Sequence, residues 1–269
     1  MSGYIHLDYP DLAIAGLLVV ANAALSIALQ LGLARRIVVA AVRMVVQLSL
    51  VGLVLKVLFA TVSPLWTGLA AMAMVLFAGQ EILARQDRRF LGWWGYGLGT
   101  GSMLTAAGLV TVFGLTTQLR PDPWYHPQYA IPLLGMVLGN TMTGISLGLH
   151  TLTSGVVEQR AAIEARLALG DPVRAAMLPM VRKALKNAVM PIVNTMGTTG
   201  LVALPGMMTG QILGGVDPGE AVRYQILIMF LISGGTAAGA VAAVMGGVRR
   251  LTDPRGRLRL DRLGPKRGA

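Results

Sequence analysis

The chain has 269 residues, 54% hydrophobic and 13% charged, with no cysteine and a formal net charge of +11. A soluble domain carries about a quarter charged residues, so the composition excludes an ordinary soluble enzyme and points to a helical membrane protein. The missing cysteine excludes disulfides, thiolate metal sites and cysteine redox chemistry, and the basic balance reads as the Lys and Arg excess of cytoplasmic loops rather than a nucleic-acid surface.

Seven apolar segments follow one another, at 12–33, 37–59, 65–83, 97–115, 130–152, 188–213 and 222–248. Six run close to or beyond the ~18 residues of a membrane helix, and the Gly-rich 97–115 carries no charge. The short alternating segments of a membrane β-barrel are missing. The expected class is therefore all-α, a polytopic membrane protein of about seven transmembrane helices. Asp8 and Asp11 precede the first segment, and no Lys or Arg comes before Arg35. A cleavable signal has a positive leading region, so the first helix is expected to stay in the mature protein.

The second segment carries Arg43 and Gln47 one turn apart, and the third ends in Gln80 and Glu81 at similar depth. Charges in lipid are costly unless paired. An Arg43–Glu81 pair would satisfy both, as a static bridge or as a gate with Gln47. The loop 116–129 holds three prolines, which stop helix formation. Its Trp124, Tyr125 and Tyr129 suit the aromatic belt at the membrane surface, and His126 reads as an ordinary loop residue. The fifth segment carries Asn140, Thr141, Thr143 and Ser146, with Gly135, Gly139 and Gly144 placed for close helix packing. His150 reads as a boundary residue near its end.

The polar, basic passage 158–188 separates the fifth and sixth segments. Helix formers run through Leu169, and Gly170 can take the left-handed position that ends a helix. Asp171 can cap the next helix, and Pro172 suits its first turn. That second helix places Val173, Met177, Met180 and Val181 on one side, reads as interfacial, and should kink at Pro179. A short helical corner pushed out of the membrane can act as a lever on longer helices. The plain alternative is an amphipathic loop without a partner.

The sixth segment carries Asn194, Thr195, Thr198 and Thr199, then Pro205, Gly206, Met207, Met208, Thr209, Gly210 and Gln211. Pro205 removes a backbone donor and the glycines loosen the turn. A helix broken at membrane depth must line protein or water, and in transporters such breaks form substrate sites. Asn140, Thr143, Asn194, Thr198, Met207, Met208, Thr209 and Gln211 are thus the candidate pathway. Thioethers are soft ligands, but Met also fills gaps in cores, so both roles stay open for Met207 and Met208.

The charges give a topology. With the N-terminus outside, segments 34–36, 84–92, 153–187 and the tail from 249 lie inside and hold 19 of the 23 cationic residues. The outside segments hold Arg120 and Arg223. This predicts N-out and C-in, which needs an odd number of crossings. The tail 249–269 reads as a basic cytoplasmic arm, flexible and close to anionic headgroups. The domain extends over 1–248, with the corner at 154–187.

The passage Glu164-Ala165-Arg166-Leu167-Ala168-Leu169-Gly170 resembles the E-A-A-x-x-x-G coupling motif of ATP-binding-cassette permeases, with Arg166 in place of the second alanine. The stretch 200–215 (GLVALPGMMTGQILGG), followed by Pro218, Ala221 and YQILIMF at 224–230, resembles the FetB-like permeases. So do GNTMTGISLGL at 139–149 and RMVVQLSLVGLVL at 43–55. This family is associated with iron export and its plant relatives with aluminium tolerance. The resemblance implies a multi-pass permease of the cytoplasmic (inner) membrane that forms a homodimer and pairs with two copies of an ATPase subunit. It implies coupling through Glu164, Ala165, Arg166, Gly170 and Asp171. Independently, the chain has no G-x-x-x-x-G-K-[ST] phosphate loop. No cofactor is expected on this chain; ATP and Mg would bind the partner. A metal cargo would pass as a complex or a weakly held, hydrated ion. The competing readings are a partner-independent ion channel or secondary transporter, and a non-transporting membrane scaffold.

Overall fold

The computed structural model describes residues 8–253 and 255–266. In chain order its helices are α1 (Tyr9–Ala28), α2 (Ala34–Thr61), α3 (Pro64–Ala84), α4 (Trp93–Phe113), α5 (Pro127–Glu158), α6 (Arg160–Ala168), α7 (Val173–Thr198), α8 (Gly206–Leu213) and α9 (Pro218–Leu251). Among the described residues six helices are long and apolar enough to cross a membrane. These are α1, α2, α3, α5, α9 and α4 with the π-helical turn that extends it to Leu119. The class expected from composition holds.

α5 occupies the centre and packs on α3, α4, α7 and α9. Lipid supplies no hydrophobic drive between helices, so close approach depends on small residues. Gly235, Gly239 and Gly247 of α9 face Val137, Thr141 and Leu152 of α5 in ascending order, so these two helices run parallel. Gly144, Gly148 and Gly155 of α5 face Ala188, Ala184 and Met180 of α7 in descending order, so α7 runs antiparallel to both. Gly114 and Gly239 set α4 antiparallel to α9 through Leu231 and Ala106, and Gly79 and Gly95 set α3 antiparallel to α4 through Thr100 and Leu83.

α7 therefore runs back between α5 and α9, although its basic first half keeps it from reading as an apolar span. It differs from the expected separate interfacial helix. It is one element that continues through Pro179 and Pro191, and Ala176, Met180, Ala184, Ala188 and Ile192 form a buried stripe along it. α1 and α2 stand apart. Only Ala23 and Ser26 of α1 and Leu58 of α2 are buried, and α2 packs chiefly on α1.

The C-terminal segment also departs from the sequence reading. Thr252 pairs with Leu258 and Phe90 with Leu263. The Leu91 N–H donates to the Arg262 carbonyl at 2.9 Å and the Gly264 N–H to the Arg89 carbonyl at 2.8 Å. Leu258, Leu260 and Leu263 pack against the core. The tail is folded back onto the α3–α4 loop, where Arg262 Nη1 donates to the Arg250 carbonyl at 2.8 Å. The side-chain hydrogen bond from Arg259 holds the Asp261 carboxyl below its usual range, and the Arg257 backbone N–H does the same for Asp253.

Candidate functional site

α5, α6 and α7 make the corner. α6 ends with the two bonds of a Schellman motif: the Gly170 N–H donates to the Leu167 carbonyl at 3.1 Å, and the Asp171 N–H to the Arg166 carbonyl at 3.0 Å. Gly170 adopts φ +94° with open space where a Cβ would sit, a conformation that costs little only for glycine. The expected helix end is there. The expected cap is not. Asp171 turns back to Arg166, Nε to Oδ2 at 2.7 Å, and Pro172 takes the N-cap position of α7.

Glu164 pairs with Arg160 at 2.8 Å, and the Ala165 carbonyl accepts the Leu169 N–H. Glu164 and Arg166 are thus each tied to a neighbour within the corner. At the tip the Leu169 side chain is 87% exposed, flanked by the exposed Arg160 and Arg174. The folded tail reaches the same place, where Arg255, Gly256, Arg257 and Leu258 face Glu164, Leu167 and Ala168 across a cleft of about 430 Å³. Sequence reasoning missed this neighbour, because a short basic segment carries no local signal of packing.

The polar residues of the candidate pathway fall into two places. By the α5–α7 pairing, Asn194 lies level with Leu138 on the adjacent helix, within a turn of Asn140 and about a turn and a half from Thr143. Asn140 Nδ2 donates to the Met136 carbonyl at 2.9 Å and Thr143 Oγ1 to the Gly139 carbonyl at 3.0 Å. Asn194, Thr195 and Thr198 are exposed on α7, with the Thr198 hydroxyl on the Asn194 carbonyl at 3.0 Å. These rows open outward from the bundle, away from the buried stripe.

The second place is the break after α7. The same pairing puts Thr198 level with Leu134, about 10 Å short of the end of α5 at 1.5 Å per residue. There the chain turns back. Gly200 takes φ +88°, its N–H donates to the Ala203 carbonyl at 2.9 Å, and Leu201 and Val202 at the tip are 92% and 83% exposed. The breaking residue is Gly200 rather than Pro205, which begins α8 as its N-cap. Met207, Met208, Thr209 and Gln211 lie half-buried on α8. Met207 packs against the core, and Gln211 Oε1 is buried without a hydrogen-bond partner. α8 leans on α9, away from the Asn140 row.

The third cluster is formed as expected. Arg43 Nη2 lies 3.9 Å from Glu81 Oε2, and Arg85 Nε shares Glu81 at 3.4 Å. Gln47 lines the same crevice. Among the described residues no three His, Cys, Asp or Glu side chains converge. His126 caps α5, its Nδ1 accepting from the Gln128 N–H at 3.4 Å, and His150 lies well inside α5 rather than at its end.

The profile described as "Uncharacterised protein family (UPF0014)" matches residues 9–252. The "UPF0014 membrane protein slr1647" of Synechocystis sp. is 38% identical over 234 residues, 85% of this chain and 87% of that protein. "Protein ALUMINUM SENSITIVE 3" of Arabidopsis thaliana is 34% identical over 201 residues, 75% of this chain and 71% of that protein. The "Probable iron export permease protein FetB" of Escherichia coli is 29% identical over 259 residues, 95% of this chain and 96% of that protein. No solved structure is significantly similar.

Proposed function

We propose, from the premise that the chain belongs to the UPF0014 family, that this multi-pass membrane protein is the permease subunit of an ATP-binding-cassette transporter. It sits in the cytoplasmic membrane and exports iron or another metal, free or complexed. The observation that carries this reading is the corner: a rigid turn with a nearly fully exposed leucine at its tip. An exposed apolar anchor on a braced helix is what a groove in a soluble subunit takes up. The corner end also gathers Arg35 and Arg36 of α2, Arg85 after α3 and the cations of α6, α7 and the tail, which supports reading it as the cytoplasmic end. The topology is then N-out and C-in, with α7 and α8 as the seventh crossing.

ATP is hydrolysed on a separate ATPase subunit, two copies of which serve a permease homodimer. The homodimer reading is supported by the polar rows of α5 and α7, which open outward and need a second surface to complete a pathway. Two relatives' names concern a metal, iron in one and aluminium in the other, which supports a metal cargo. The candidate pathway offers amide and hydroxyl oxygens and two thioethers, a set suited to a weakly held or already complexed ion.

The test is iron content in cells lacking the gene. They should over-accumulate iron under load, and the wild-type chain should restore export. Leu169→Glu, Gly170→Val and Glu164→Lys should insert normally yet neither restore export nor stimulate the ATPase. Asn194→Leu and Gln211→Leu should impair export while ATPase binding persists. Metal flux into liposomes driven by the purified chain without ATP would replace this reading with a channel or secondary carrier.

A further inference from the structure

A groove runs between α2 and α3. Val62 and Ser63 join the two helices tightly, yet their backbones stay apart and leave two crevices along their length. The one toward the corner end holds about 530 Å³ and is lined by Arg36, Arg43, Gln47, Glu81 and Arg85 with apolar neighbours. The other holds about 710 Å³ and, apart from Thr61, is lined by apolar side chains. The groove is basic at its headgroup end and greasy beyond it.

Three guanidiniums there face one carboxylate. Glu81 is shared between Arg43 and Arg85, and Arg36 has no ion-pair partner among the described residues. An excess of positive charge at the hydrocarbon edge is unfavourable unless an anion joins it. A second copy of the chain would bring the same excess, since its own Glu81 is shared in the same way. The anionic headgroups of the surrounding membrane are the nearest source of such an anion.

We propose that an anionic phospholipid of the leaflet at the corner end seats in this groove. Its phosphate lies among Arg36, Arg43 and Arg85, and its acyl chains follow Val39, Met44 and Phe77 toward the second crevice. Guanidinium forks match phosphate oxygens in geometry as well as charge, and basic pockets between helices near the membrane surface select such headgroups. Arg43 to Leu53 spans about 15 Å of helix, within reach of one acyl chain. The lipid would fill the gap that leaves the α1–α2 hairpin so thinly attached. The proposal does not depend on what the chain transports.

The test uses the full chain purified in neutral detergent. Thermal unfolding is followed with added dioleoyl phosphatidylglycerol, dioleoyl phosphatidylcholine or inorganic phosphate, and native mass spectrometry counts the lipid retained. Phosphatidylglycerol should raise the midpoint and stay bound, and the other two should not. Arg36→Gln and Arg85→Gln should each weaken its binding about fivefold, while Arg223→Gln, remote from the groove, leaves it unchanged. Each variant's own midpoint in phosphatidylcholine reports whether it is folded. Equal effects of both lipids, a full effect of phosphate alone, or unchanged binding in both groove variants would overturn the proposal. The chain lacks cysteine, so one further probe is clean: an Ala40→Cys chain that cross-links to a second copy and retains no lipid puts protein in the groove instead.

Discussion

Gly144 and Gly139 sit five residues apart on α5 and meet opposite surroundings. A Cβ at Gly144 would lie 2.7 Å from Thr236 Cγ2 and 3.1 Å from the Ala188 carbonyl oxygen, whereas one at Gly139 meets nothing within 4 Å. The sequence treats both as packing glycines; only Gly144 is one. Gly144→Val should therefore push α7 and α9 off α5 and destabilise the fold by roughly 2–3 kcal/mol. Gly139→Ala should be neutral, or stabilising by up to about 1 kcal/mol through helix propensity. Thermal unfolding of the two purified variants decides this, and equal losses would mean the α5 interfaces are misassigned. Asp171 teaches the same lesson at the corner: its position suits a cap, but Arg166 lies within reach and a charged partner holds the carboxylate more strongly than an N–H does.

At the scale of elements, the tail carries the clearest consequence. If it were a loose arm, removing residues 253–269 would leave stability untouched. Because Leu258, Leu260 and Leu263 pack on the core and Phe90 and Leu91 pair with the segment, truncation should cost roughly 3 kcal/mol, about 1 per partly buried leucine. It should also expose one side of α6. A lower unfolding midpoint and faster proteolysis near Arg160 would bear this out; an unchanged midpoint would return the tail to a surface arm. α7 illustrates why the sequence divided it in two. Its first half is basic and its second apolar, and hydropathy reads those as separate elements. The buried stripe with a period of four runs through both, and the helix follows the stripe.

For the whole molecule, the decisive arrangement is that the corner, the tail and most cations share one end while the Trp124 loop lies at the other. The cysteine-free chain allows this to be read directly. Leu169→Cys should react with a membrane-impermeant maleimide only after cells are opened, and Trp124→Cys should react in intact cells. The reverse pattern would invert the topology and remove the corner from any cytoplasmic ATPase. What the sequence determined by itself was the all-α, multi-pass class, the rough placement of six apolar spans and the turn at Gly170, because each depends on residues within a few turns of one another. The tertiary structure alone decided that α7 runs back antiparallel to α5 and α9, that Gly200 rather than Pro205 breaks the chain, that the tail is docked, and that the polar rows face outward. Those outcomes depend on which surfaces meet across tens to hundreds of residues, and no local pattern encodes that meeting.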